Sequence, residues 1–163
     1  MSIDARPAGP QADTAESAPL TGGCLCGAVR YELAVPVSAI VACYCADCRR
    51  ATGTAASINA RVPASAFRLV RGATRVFARA ADSGRLLERH FCADCGSPIL
   101  TRHGDDTRQI ILKVGSLDRQ EGMALAASIW TASAAPWAWV DRDQPCFPAG
   151  RPAPGSTAAP GRA

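Results

Sequence analysis

Lysine is nearly missing from this sequence. Lys113 stands alone, and arginine carries the rest of the positive charge behind a formal net charge of +4. Aromatic residues make up only 6%. No arginine run is interleaved with them and no helix-turn-helix pattern is visible, which argues against a nucleic-acid surface. The arginine excess favours small anionic ligands instead. No apolar stretch approaches the length of a membrane span. Met1-Ser2-Ile3-Asp4 does not lead into the basic and apolar regions of a signal peptide. The expected location is therefore a reducing cytoplasm, where close cysteine pairs act as metal ligands or redox groups rather than disulfides. A sustained 3.6-residue apolar period is absent too, which argues against a helical architecture.

What is present is short, alternating and punctuated. The 163 residues fit one domain. Residues 1–19 are rich in Ala, Pro, Ser and acids and read as a disordered leader, and 149–163 read as a tail of the same character. The folded unit is expected over 20–148. Strand-like patterns fall at Ala28–Leu33, Ala66–Val70, Thr74–Arg79, Leu86–Phe91 and Arg108–Val114, separated by Gly and Pro. The expected fold is mainly β, with short helical turns at 46–51 and around 118–124, where Leu117-Asp118 resembles a helix start.

Seven of the eight cysteines fall into three clusters: Cys24 and Cys26; Cys43, Cys45 and Cys48; and Cys92 and Cys95. Cys45-Ala46-Asp47-Cys48 and Cys92-Ala93-Asp94-Cys95 are the same tetrapeptide. Two thiolates on one zinc must lie roughly 4 Å apart, and a C-x-x-C turn brings sulfurs that close. Gly96, after Cys95, can take the positive φ such a turn needs. A C-x-C pair requires a bent backbone, which Gly22, Gly23 and Gly27 permit. Seven ligands divide naturally as four and three. Two pairs close a site, whereas a triplet leaves a position open, the pattern of catalytic zinc. Spacing leaves open which pairs share a metal. A redox role competes for Cys92 and Cys95. A second structural site, completed by water, His90 or His103, competes for the triplet. Cys146 reads as a bystander.

These residues resemble the family of glutathione-dependent formaldehyde-activating enzymes and the centromere protein V domain. The match is carried by Gly22-Gly23-Cys24-Leu25-Cys26-Gly27, by Cys43-Tyr44-Cys45-Ala46-Asp47-Cys48-Arg49-Arg50-Ala51-Thr52-Gly53, and by Phe91-Cys92-Ala93-Asp94-Cys95-Gly96-Ser97-Pro98. Weaker matches follow at Gly115–Asp118 and Ile129–Trp137. The resemblance implies a β-tent fold of small antiparallel sheets built around cysteine-bound zinc. It also implies that Cys24, Cys26, Cys92 and Cys95 hold a structural zinc. Cys43, Cys45 and Cys48 then hold a second, labile zinc, where a carbon–sulfur lyase forms or cleaves a thiol–aldehyde adduct such as S-hydroxymethylglutathione. The sequence departs from the family at Tyr44, where a histidine is common.

Two further roles are expected near the triplet. Arg49 or Arg50 grips a carboxylate of glutathione or a similar thiol, the alternative being that both are solvated. The Tyr44 hydroxyl, or water, supplies a proton. Trp130 and Trp137 are expected to pack in the core. The partners are a small thiol and an aldehyde, with no nucleic acid or membrane, and a homodimer through exposed strand edges is possible. The competing reading is a non-catalytic zinc-scaffolded interaction module, or one that buffers metal or thiol.

Overall fold

Alternation in the sequence becomes alternation across sheets. In Arg30–Leu33, Tyr31 and Leu33 are fully buried, while Arg30 and Glu32 between them reach outward to Asp118 and Arg68. The computed structural model describes residues 19–81 and 84–151. The leader expected over 1–19 lies outside the described residues except for Pro19, and so does the tail beyond Arg151. Among the described residues no helix is long and apolar enough to cross a membrane.

The architecture is mainly β, as the patterning indicates. A three-stranded antiparallel sheet has the order β1 (Leu20–Gly23), β2 (Arg30–Leu33), β5 (Phe67–Arg71). An eight-stranded sheet contains β3 (Ala39–Cys43), β4 (Ser57–Pro63), β6 (Thr74–Ala80), β7 (Leu86–Cys92), β8 (Pro98–His103), β9 (Asp106–Lys113), β10 (Ala124–Ile129) and β11 (Cys146–Phe147). Its order is β11-β10-β3-β4-β9-β8-β7-β6. Pairing is antiparallel from β3 to β6 and parallel where β10 meets β3 and β11. One helix, α1 (Ala46–Thr52), follows β3 and matches the turn expected at 46–51.

Strand register gives the large sheet two different faces. Ala60 lies opposite Leu112, Leu112 opposite Leu100, and Val62 opposite Ile110. These residues are almost fully buried and form one cluster with Val29, Tyr31 and Leu33 from the smaller sheet and its hairpin. Burial of each Leu or Ile side chain contributes about 1.5–3 kcal/mol. The Tyr31 ring also packs on Phe67 with centroids 5.0 Å apart. One position further along, the same strands turn Cys43, Ser57, Asn59 and Lys113 to the opposite face, since Cys43 pairs with Ser57 and Asn59 with Lys113.

Two expectations are corrected. No helix forms around 118–124. Leu117 is extended and buried in the core after a short 3-10 turn at Val114–Ser116. The Asp118 carboxylate is taken by Thr21 Oγ1 at 2.6 Å and by the Arg30 guanidinium, and its backbone N–H bonds Thr21 O. Contacts with the small sheet thus override the helix-start signal. The tryptophans are not core residues either. Trp130, Trp137 and Trp139 are 40%, 73% and 76% exposed.

Gly22 and Gly23 lie inside β1 and do not bend it. Gly22 is required because a Cβ there would run into the Tyr31 ring and the Ser116 carbonyl. Gly22→Ala is therefore expected to destabilise the protein by about 1–3 kcal/mol through overpacking. The denaturant midpoint measures this, and an unchanged midpoint contradicts the packing described.

Candidate metal centres

The first cysteine cluster joins the two sheets. After β1 the chain turns tightly. Gly27 N–H bonds Cys24 O at 3.1 Å with Gly27 at φ 77°, and Cys24 N–H bonds Val29 O at 3.0 Å. Across the site, Cys92 ends β7 and opens a second turn, closed by Gly96 N–H to Cys92 O at 3.0 Å with Gly96 at φ 75°. Only a glycine takes these two left-handed positions without strain. The turns bring Cys24, Cys26, Cys92 and Cys95 together, with all four sulfurs within 4.8 Å of one another. Cys24 and Cys26 Sγ are 3.5 Å apart, and Cys26 and Cys92 Sγ 3.7 Å. A tetrahedral zinc with bonds of 2.3 Å separates its sulfurs by about 3.8 Å, so this donor set fits the ion.

The thiols' electrostatics favour a cation at this site. The Ser97 hydroxyl, 3.2 Å from Cys95 Sγ, joins backbone N–H groups in holding Cys95 down at about 5. At Cys26 a bond from the Ala28 backbone pulls downward, but neighbouring thiols, Cys24 foremost, push it up to about 12. Four crowded thiols cannot all ionise unless a positive ion offsets their charge. Around them, Val29 N–H reaches Cys24 Sγ at 3.2 Å and Leu25 N–H reaches Ser97 Oγ at 3.1 Å, fixing the sulfurs' orientation.

The second cluster grows from the end of β3. Cys43 is its last residue, Cys45 is the N-cap of α1, and Cys48 lies in the first turn. Cys45 is extended at ψ 153°, so its sulfur accepts the Cys48 N–H at 3.4 Å. Gly53, at φ 68°, ends the helix and returns its N–H to Arg49 O at 2.8 Å. Asp47 fastens α1 to the sheet, accepting Arg79 Nη1 at 3.2 Å from β6 and Arg89 Nη2 at 3.3 Å from β7. The three sulfurs lie within 4.8 Å of one another, and among the described residues no fourth His, Cys, Asp or Glu joins them. Bonds from Cys43 and then Cys48 hold Cys45 down at about 2, and Cys43 is pushed well above the thiol range by the same pairing. Cys48 is pushed up as well, its bond with Cys43 lowering it but Cys45 and burial raising it, so the three thiols do not ionise together without a nearby cation. Both groups of cysteines could hold metal ions, and they are the groups that the sequence divides as four and three.

Other expected residues fall variously. Arg49 has a buried Nε without a hydrogen-bond partner, and Arg50 is exposed. Neither histidine joins a cysteine cluster. His90 Nδ1 bonds Thr74 Oγ1 at 2.9 Å on the strand face where it was expected. Cys146 donates to Asp141 O at 3.3 Å and stands apart from both clusters. Tyr44 is not placed to give a proton to the triplet. Its hydroxyl donates to Trp139 O at 2.9 Å, and burial pushes its pKa up.

Sequence reasoning missed Lys113, Ser57 and Asn59, which flank the triplet. The ammonium donates to Asn59 Oδ1 at 2.8 Å and to Ser57 Oγ at 3.1 Å. The signal for it was the chain's single lysine, set in an otherwise apolar run of β9.

Comparison with known proteins agrees with this geometry. No curated protein matches. Three chains of solved structure match. One is the crystal structure of a Rhodobacter sphaeroides protein, 27% identical, with a TM-score of 0.50, the match covering 62% of this chain and 90% of that one. The family model for the glutathione-dependent formaldehyde-activating enzyme matches residues 19–133, a span that holds all seven clustered cysteines. With its cysteines grouped by the fold as four and three, the chain belongs to the glutathione-dependent formaldehyde-activating enzyme family.

Proposed function

We propose that this protein is a zinc-dependent carbon–sulfur lyase that forms or cleaves a thiol–aldehyde adduct, S-hydroxymethylglutathione being the type. The observation that carries the reading is the three-thiol cluster of Cys43, Cys45 and Cys48 beside a complete four-thiol one. The four-cysteine cluster is structural, since its sulfurs come from both sheets and close the coordination sphere. The triplet leaves one position for a ligand. Zinc held there supplies the positive charge that keeps a substrate thiol ionised at neutral pH.

The chain's own residues do the rest. Cys43, Cys45 and Cys48 would hold the metal at the junction of β3 and α1, and Asp47 with Arg79 and Arg89 holds that junction still. Arg49 and Arg50, in the last turn of α1, take a carboxylate of the thiol substrate and orient its sulfur toward the aldehyde. The forming C–S bond leaves an alkoxide, which takes its proton from water, because the Tyr44 hydroxyl is committed to Trp139 O. In the reverse direction the adduct's hydroxyl loses that proton and the C–S bond breaks to release aldehyde and thiolate.

Two outcomes are expected. Exchange spectroscopy by NMR should show the protein accelerating the interconversion of formaldehyde, glutathione and their adduct. Exchange at the uncatalysed rate would favour a scaffolding or metal-buffering module. Cys45→Ser and Cys48→Ser should each lower zinc content by about one ion per chain and remain folded, whereas Cys92→Ser should fail to fold or should aggregate. If elemental analysis and circular dichroism find Cys45→Ser and Cys92→Ser equally unfolded, the division into structural and catalytic metal is wrong.

A further inference from the structure

Lys113 is placed where a lone lysine is costly and is held there by dedicated partners. It ends β9 on the face that bears the cysteine triplet. Its partner across the strand pair is Asn59, and Ser57, two residues before, pairs with Cys43. Ser57 and Asn59 are 2% and 7% exposed, polar residues in a position that packing alone would fill with apolar ones. They are wired to each other, Ser57 Oγ donating to Asn59 Oδ1 at 2.9 Å, and the Asn59 amide donates to Ser57 O at 2.8 Å. This arrangement presents two acceptors to Lys113 Nζ, one of them on the residue that pairs with Cys43 at the end of β3. Below it, the Lys113 carbonyl accepts Ser116 Oγ at 2.7 Å, and that hydroxyl bonds Tyr31 OH at 2.8 Å. Both ends of the residue are therefore fixed.

Charge explains why a cation belongs there. Burial strips water from the ammonium and disfavours it, while the thiols of Cys48, Cys43 and Cys45 pull the other way. Arg89 also faces Lys113, and its guanidinium is engaged by Asp47. Three thiolates around a divalent ion leave an excess of one negative charge. A fourth ligand that is neutral leaves that excess unchanged, whereas an anionic sulfur doubles it. A partly desolvated excess of that kind is strongly unfavourable without a nearby cation.

We propose that Lys113, fixed by Ser57 and Asn59, is a positioning residue that selects an anionic sulfur over a neutral ligand as the fourth partner of the Cys43, Cys45 and Cys48 centre. The proposal rests on the reading of that centre as open and thiol-binding. Lys113 acts through its charge and need not touch the substrate. It is distinct from Arg49 and Arg50, which recognise the substrate's carboxylate rather than its sulfur.

The test uses full-length protein loaded with cobalt(II), whose absorption reports each new sulfur ligand. The probes are 2-mercaptoethanol, which has no carboxylate, and imidazole, a neutral ligand. Lys113→Met should weaken 2-mercaptoethanol binding at least about tenfold, the effect of one partly screened charge, and leave imidazole binding unchanged. Lys113→Arg should restore thiol binding to near the wild-type value. Lys113→Gln, neutral but still a donor to Ser57 and Asn59, should behave as Lys113→Met and serves if the methionine variant does not fold. Equal thiol affinity in wild type and the neutral variants overturns the role of Lys113 alone, as does equal weakening of both probes, which marks a merely structural residue. If the wild type itself takes up no thiol, the open-centre reading falls and this inference with it.

Discussion

Four sulfurs from two sheets must meet within 4.8 Å, and most of the structure answers to that requirement. Cys24 and Cys26 come from the hairpin of the small sheet, whereas Cys92 and Cys95 come from the end of β7 in the large one. Neither pair can shift without moving its sheet. The glycines at 27 and 96 serve the turns, and Gly22 lets Tyr31 approach β1 closely. Tyr31 and Leu33 then fill the space between the sheets against Leu100, Ile110 and Leu112. Sulfur convergence and apolar burial thus reinforce each other. In a domain of this size a metal held by these four sulfurs would add stability that a modest core supplies less readily.

Fixing the core face of the large sheet also fixes its other face. A strand that presents Ala60 and Val62 inward must present Ser57, Asn59 and Arg61 outward. The same parity sets Lys113 beside Asn59 and Cys43 beside Ser57. The second cysteine cluster therefore sits on a polar, cationic face, covered by one short helix that the Asp47 ion pairs hold down. The two clusters are separated in space. The four-cysteine cluster stitches the sheets, and the triplet lies at a junction that can admit a ligand without disturbing the core.

Much of this was legible in the sequence where local chemistry is strong. The C-x-C and C-x-x-C spacings, with glycine at 27 and 96, identified the clusters, and three blocks of residues identified the family. Strands with clear alternation, such as Thr74–Ala80 and Leu86–Cys92, were read nearly to their ends. Strands that are short or irregular in burial were not, such as β3, β8 and the parallel β10, because Ala-Ile-Val-Ala-Cys carries no period. The helix expected around 118–124 failed because Asp118 bonds across to Thr21 and Arg30, a long-range partnership that a local pattern does not encode. Lys113 escaped for a related reason: its meaning comes from Ser57 and Cys43, which are far away in sequence and adjacent only through strand register.

The two cysteine clusters are proposed to hold metal in different ways, one closed and one open to a thiol. Zinc K-edge X-ray absorption on the fully loaded protein addresses this directly. An average of about 3.5 sulfurs per zinc is expected, with a light-atom ligand making up the rest, rising to about four when glutathione is added. Four sulfurs per zinc before any thiol is added, or a sulfur count that glutathione leaves unchanged, would contradict the proposal.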